Sequence, residues 1–409
     1  MRKRYAFAGA SGRVIYGMYL NSLVNEFKDI AEIVGVYDIN PKRSHVLRKK
    51  SGIEIPVYED FNQMLCEAKP DVVIVSTVDR YHHEYIIKSL EAGCDVITEK
   101  PMTIDEDKCN AILEAEKRTG QKVHVTFNLR FSPFCVRVKE IVKSGAIGDI
   151  YSAHFEWMLD TSHGADYFRR WHRKKENSGG LLVHKATHHF DLINWFIEQE
   201  PEIVNAFGSR RFYGPTREAR GIRCLTCQYI KECEFYFDIR SLDSTKELYL
   251  ECEDVDGYYR DRCVFSEDIN IEDTMSVNVR YSGGALMSYS LTSHSPYEGY
   301  RIALNGSEGR MEVEDFHGAI GAYAGEGISR IRIYNRKGEE TSIKIPKVTG
   351  DHGGGDERLI RMIVRGDIKD PLGQTAGSRA GAMSAIIGIA ANRSMSEGCS
   401  IRVKDLLDI

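Results

Sequence analysis

Apolar residues in the first third of the chain fall in short, almost unbroken runs, at 4–8, 33–37, 71–75, 95–97 and 122–125. Near-continuous apolar strands are what a parallel sheet buried on both faces requires. Between them, 14–24, 41–50, 81–92 and 105–119 carry apolar positions at helical spacing, the last stopping at Gly120. The alternation predicts an α/β, Rossmann-type doubly wound domain with its ligand outside the carboxyl ends of the strands.

After about Gly148 the pattern changes. Residues 150–158 alternate as an antiparallel strand does, and 182–197 read as one helix. Short strands are expected at 275–281, 285–290, 301–305, 310–313, 330–335 and 341–345, separated by turns containing Gly and Ser. Helices at 357–365 and 376–395 would pack on the flank of this sheet or return to the first domain. The expected organisation is therefore a dinucleotide-binding domain at 1–128 and an α+β domain at 129–409 with a large mostly antiparallel sheet, interrupted by a Cys-rich insertion at about 215–265.

A chain of 409 residues can hold two such cores. Its formal charge of −5 argues against a nucleic-acid partner or an anionic membrane surface, because phosphate affinity comes from clustered Lys and Arg. No window approaches the roughly 18 consecutive apolar residues of a membrane span. The start of the chain runs into a strand rather than a signal-peptide core, so a cytoplasmic protein is expected. In that reducing compartment Cys66, Cys94, Cys109, Cys135 and Cys399 would pack as small apolar side chains.

Candidate chemistry collects at the strand ends. Gly9-Ala10-Ser11-Gly12, followed by Arg13, makes a tight turn after the first strand, where a pyrophosphate would sit. Asp38 ends the second; a carboxylate there accepts hydrogen bonds from an adenosine ribose and repels a 2′-phosphate, favouring NAD over NADP, with Arg43 able to soften that preference. Thr77 and His82 follow the strand at 71–75, and Glu99-Lys100-Pro101 the strand at 95–97. The X-Pro bond permits a cis peptide that would turn Lys100 inward. To act as a base Lys100 must fall from a pKa of about 10.4 toward neutrality, which a nearby cationic nicotinamide promotes.

The second rich segment runs from Gly179 to Asp191. On one helix His184 and His188 would share a face, with Asp191 a turn further on. So many ionisable groups among apolar ones cost desolvation that a merely structural helix would avoid. Two histidines at this spacing could alternatively hold a divalent metal. Cys224, Cys227, Cys233, Cys252 and Cys263 cluster in the insertion. Cys224, Cys227, Cys233 and Cys263 suit a structural zinc, and thiolates also bind iron–sulfur clusters. Trp157, His163, Tyr167, Arg170 and Trp171 are candidates for sugar contact, since aromatic faces suit the C–H faces of pyranose rings. His352 opens a Gly-rich loop ending at Asp356 that could reach a ligand.

Together the glycine turn, Asp79 with His82, Glu99-Lys100-Pro101, Asn128-Leu129-Arg130-Phe131-Ser132-Pro133 and the Gly-Gly to His-x-x-Asp segment resemble the Gfo/Idh/MocA oxidoreductases over most of the chain. His188 matches that family's catalytic histidine and Asp191 its trailing aspartate; His184 stands where an aspartate is usual, and Lys185 is an added charge. The resemblance implies an NAD-dependent oxidation of a secondary hydroxyl of a sugar, polyol or glycoside, at C3 in some relatives. Taken with the residue readings above, it gives Lys100, His188 and His184 as the catalytic set, Gly9, Ser11, Gly12, Arg13, Asp38, Thr77, His82, Glu99, Lys100 and Asn128 as the cofactor contacts, and Arg130, Trp171, Lys185, His189, Asp191 and His352 as the substrate contacts. Alternatives are a redox-neutral NAD-dependent glycosidase or transhydrogenase, and a non-catalytic sugar- or partner-binding protein. A homo-oligomer, dimer or tetramer, would cover the open face of the second sheet.

Overall fold

The computed structural model describes residues 2–317 and 327–408. Strands β1 (Lys3–Ala8), β2 (Ala31–Tyr37), β3 (Val57–Tyr58), β4 (Val72–Val75), β5 (Asp95–Thr98) and β6 (Val123–Val125) form a parallel sheet in the order β6-β5-β4-β1-β2-β3. The order reverses between β1 and β4, so the turns after these two strands flank the crevice where such sheets bind ligands. Helices Pro41–Ser51, His82–Glu91 and Glu106–Thr119 stand where the spacing predicts them. A further helix, Phe61–Ala68, is short and is capped by Asp60, whose carboxylate accepts from the amide of Gln63.

The helix expected over 14–24 is interrupted. A turn of helix at Gly12–Ile15 is followed by irregular chain and a π-helical turn at Ser22–Glu26. At Gly17 a Cβ would lie 2.3 Å from the Arg13 carbonyl oxygen, an approach only glycine allows. The distorted chain turns Tyr19 fully inward, where its hydroxyl donates to Glu99 at 2.7 Å.

The second sheet comprises β7 (Ile150–Asp160), β8 (Pro201–Ser209), β9 (Thr274–Tyr281), β10 (Leu286–Ser295), β11 (Glu298–Gly306), β12 (Gly309–His317), β13 (Ile328–Asn335) and β14 (Glu340–Pro346), with β16 (Ile401–Arg402) at its edge. Its order is β14-β13-β12-β11-β7-β10-β9-β8-β16. The sheet is antiparallel except where β7 runs parallel to β10. Between β7 and β15 (Ala376–Gly377) the chain also returns to the first domain: β15 pairs with β6. Helix Gly355–Arg365 places Leu359 and Ile360 in a core with Phe7, Val14 and Val36. Helix Ser378–Glu397 packs on β8 and on helix Thr187–Ile197. Both fates expected for the terminal helices therefore occur.

The helix expected over 182–197 is two helices, Leu181–His184 and Thr187–Ile197. Ala186 closes a wide turn onto the Leu181 carbonyl at 2.8 Å, and Lys185 and Ala186 lie between the helices. The break leaves the His184 carbonyl outside the helical ladder and available to a side chain from the first domain.

Candidate active site

Two loops of the first sheet and the broken helix of the second domain meet at Lys100. The Lys100-Pro101 bond is cis. Lys100 Nζ donates to the His184 carbonyl at 3.0 Å. Burial, and then the neighbouring charge of Lys185, bring its pKa down to about 8. His184 Nδ1 lies 2.5 Å from Asp79 Oδ2. Burial pushes the Asp79 carboxyl up and the His184 imidazole down, so this pair holds one proton without needing both charges. His188 is buried, and neither of its ring nitrogens has a hydrogen-bond partner. Burial and the charge of Lys100 hold His188 neutral, well below the ordinary range.

A cavity of about 440 Å³ opens over His188, lined also by Trp157, His163, Lys185, Glu298, Tyr300 and His352. The rings of Trp157 and Tyr300 are stacked, with centroids 5.0 Å apart. Lys185 Nζ sits 4.8 Å from the Trp157 ring centre. His163 lies 2.9 Å from the Glu298 carboxylate, and Tyr167 bridges to its other nitrogen at 3.1 Å. Glu298, Tyr300, Asp315 and His317 were not singled out by sequence reasoning. They sit at ordinary strand positions of β11 and β12, and only the aromatic pair Tyr297 and Tyr300 around Glu298 hints at a pocket wall.

Other expected contacts have a different place. Arg130 and Asp191 form a buried bidentate pair, at 2.7 and 2.6 Å, away from the cavity wall. His189 meets the Tyr289 hydroxyl at 2.7 Å and stacks on Trp157 at 4.0 Å, so it backs the wall rather than facing the cavity. Trp171 stacks on His172 at 3.7 Å and meets the edge of His184. His82 is buried between the Pro101 and Thr77 carbonyls, at 2.9 and 3.2 Å, and ties the two loops together. His352 lies 3.1 Å from Asp356, which also accepts from Asn128 at 2.6 Å and pairs with Arg13. Against the upward push of burial, His352 and Arg13 hold the Asp356 carboxyl below the carboxylate range.

The glycine turn fits a dinucleotide. Gly9 has φ of 100°, and a Cβ there would lie 2.4 Å from the Ser76 carbonyl oxygen. Ser11 and Ser76 share a hydrogen bond of 2.7 Å across the crevice. Asp38 accepts from the amides of Ala10 and Asn40, both at 2.8 Å, which fixes the carboxylate beside the turn. Arg13 and Tyr19 both bond Glu99, tying the turn to Lys100's own strand end. Gly9, Ser11, Gly12, Asp38, Thr77 and Asn128 are therefore brought around one crevice leading to Lys100.

Among the described residues, no three His, Cys, Asp or Glu side chains are grouped to hold a metal ion, neither at Cys224, Cys227, Cys233 and Cys263 nor around His184 and His188. All ten cysteines are free thiols. Cys224 is buried and accepts from Arg169 at 3.3 Å, while Cys227 packs against Gly221, so these sulfurs fill space. Among the described residues no helix is long and apolar enough to cross a membrane.

Two family models match the chain: the oxidoreductase family's NAD-binding Rossmann fold at residues 3–127, and its C-terminal alpha/beta domain at residues 139–403. A Bacillus subtilis (strain 168) protein, YteT, is 40% identical over 427 residues, spanning 100% of this chain and 99% of that protein. The D-glucoside 3-dehydrogenase of Escherichia coli (strain K12) is 32% identical over 120 residues, 29% of this chain and 34% of that one. Among solved structures, the WlbA dehydrogenase of Bordetella pertussis, in complex with NADH and UDP-GlcNAcA, superposes with a TM-score of 0.66 at 18% identity, over 98% of this chain and 99% of that one.

Proposed function

Because the chain belongs to the Gfo/Idh/MocA oxidoreductase family and is an NAD(P)-dependent dehydrogenase, we propose that it oxidises a secondary hydroxyl of a sugar, polyol or glycoside with NAD. The observation that carries this reading is a buried lysine with its pKa brought to about 8, whose charge bears on a neutral histidine with two unpartnered nitrogens, that histidine lining a sugar-sized cavity. The dinucleotide, when bound, supplies the hydride acceptor.

The chain supplies the rest. Lys100, deprotonated, takes the hydroxyl proton; His188 shares that proton or donates to the developing alkoxide. Asp79, bonded to the His184 side chain, ties the loop after β4 to the helix whose carbonyl holds Lys100. Trp157 and Tyr300 contribute apolar wall beside a ring's C–H groups, and Lys185, Glu298 and His163 offer partners to its hydroxyls. The D-glucoside 3-dehydrogenase relative supports oxidation at C3 of a glycoside. Asp38 supports NAD over NADP.

The uncovered face of the second sheet, with Glu156, Arg301, Glu312 and Arg332 on it, suits pairing with a second copy, which sedimentation would reveal. The test of the activity is direct: NAD is mixed with the protein and with free hexoses, inositols and simple glycosides, and reduced nicotinamide is followed by absorbance. A rise with one class establishes the reaction. No rise in protein that binds NAD overturns net dehydrogenation.

A further inference from the structure

The insertion does not stand apart from the first domain; it sits on the crevice beside the glycine turn. Leu248, at the end of helix Asp243–Leu248, is fully buried in the core that contains Val14 and Leu47. A Cβ on Gly12 would lie 3.4 Å from the Tyr249 hydroxyl. Three residues that follow β2 are bonded to the same segment: Asn40 donates to the Cys252 carbonyl at 2.8 Å, Lys42 pairs with Asp254 at 2.7 Å, and Arg43 donates to the Leu248 carbonyl at 3.3 Å.

Arg43 carries a particular consequence. Its Nη2 lies 2.7 Å from Asp256, and its Nη1 is 3.9 Å from Asp38. The rings of Tyr249 and Tyr258 lie 5.9 and 5.8 Å from its guanidinium carbon. An arginine one helical turn beyond the ribose-reading carboxylate would ordinarily be free to pair with a 2′-phosphate. Here a carboxylate from the insertion already neutralises it and adds negative charge beside Asp38. Around Tyr249, the atoms Tyr258 Oη, Arg170 Nε and Arg260 Nη1 are buried without hydrogen-bond partners, while other nitrogens of both arginines pair with Asp166. Buried donors are normally satisfied, so unpartnered ones grouped beside a phosphate-binding turn mark where a polar ligand completes them.

We propose that residues 243–260 form the outer wall of the dinucleotide site, and that Asp256 sets its preference for NAD by holding Arg43 away from a 2′-phosphate. Tyr258 then bonds the dinucleotide from the side opposite the glycine turn. Asp256 is a positioning residue acting through Arg43; it need not touch the cofactor. The proposal rests on the NAD-binding reading of the first domain.

The test titrates the full-length protein with NADH and with NADPH, following nicotinamide fluorescence, alongside a thermal melt of each variant. Asp256→Asn should tighten NADPH about tenfold relative to NADH, and adding Arg43→Ala in the same chain should return the ratio to the parent's. Tyr258→Phe should weaken NADH about tenfold with the melt unchanged. A parent protein that binds neither nucleotide removes the cofactor reading and this inference with it. A parent that binds NADH while all three variants match its two affinities overturns the inference alone.

Discussion

Lys100 of the first domain donates its Nζ hydrogen bond to the main-chain carbonyl of His184 in the second, 3.0 Å away. That carbonyl is available because the helix breaks after His184, so the fold of one domain fixes the orientation of the other's base. Replacing Lys100 by Met removes the proton acceptor while keeping most of the side chain's volume. Turnover should fall roughly 10³-fold, within the range of a lost general base, while NADH affinity by fluorescence stays near the parent's. Undiminished turnover would remove Lys100 from the chemistry.

The same lysine sets the pH dependence. Because its pKa is brought down to about 8, kcat/KM should rise with pH and level off above about 8, as the neutral amine becomes the populated form. The stability consequence has the opposite sense to an ordinary ion pair. The unfolded lysine binds its proton more tightly than the folded one, so Lys100 opposes folding fully below about pH 8, and that cost fades as pH rises toward 10.5. Its contribution to stability should rise with pH by at most roughly 1.4 kcal/mol per unit across that window. Lys100→Met should therefore melt higher than the parent at pH 7, and the two should converge by pH 10.5; a lower melt at pH 7 contradicts the buried-cation account.

Lys185 is the largest charged contributor to that lowering. Lys185→Met should let Lys100 keep its proton to higher pH, moving the acid limb of the kcat/KM profile upward. Because Lys185 also lines the cavity, KM should rise by up to about tenfold, the worth of one charge-assisted hydrogen bond to a substrate hydroxyl. A higher KM with an unmoved limb would keep the substrate contact and reject the electrostatic one.

Much of this was legible in the sequence because β1, β2, β4, β5 and β6 are buried on both faces and so carry unbroken apolar runs. Lys100, His188 and the glycine turn stand at strand or helix ends, where chemistry interrupts such runs. Glu298 and Tyr300 were not legible: on β11 their alternation is that of any strand, and only the third dimension brings them opposite His163 and Trp157. The broken helix at Lys185 was hidden for another reason. Its residues keep helical spacing, and a tertiary bond from Lys100, which no local pattern encodes, takes up the carbonyl left at the break. The C-x-x-C spacing is compatible with metal binding without requiring it, and among the described residues no three ligand-type side chains are grouped there.

Arg130 and Asp191 separate a family signature from a substrate contact. Sequence reading gave both to the substrate, yet they pair at 2.7 and 2.6 Å with both side chains buried, Arg130 also donating to the Gly373 carbonyl at 3.0 Å. Asp191→Ala leaves a buried guanidinium without its counter-ion and should cost roughly 3–5 kcal/mol of stability in denaturant unfolding. Replacing both partners, Arg130→Met with Asp191→Leu, removes the stranded charge and should recover most of that loss. In whatever fraction stays folded, KM for the substrate should be unchanged, because neither side chain lines the cavity. A KM that rises in the double variant while its stability matches the parent's would return the pair to the substrate site.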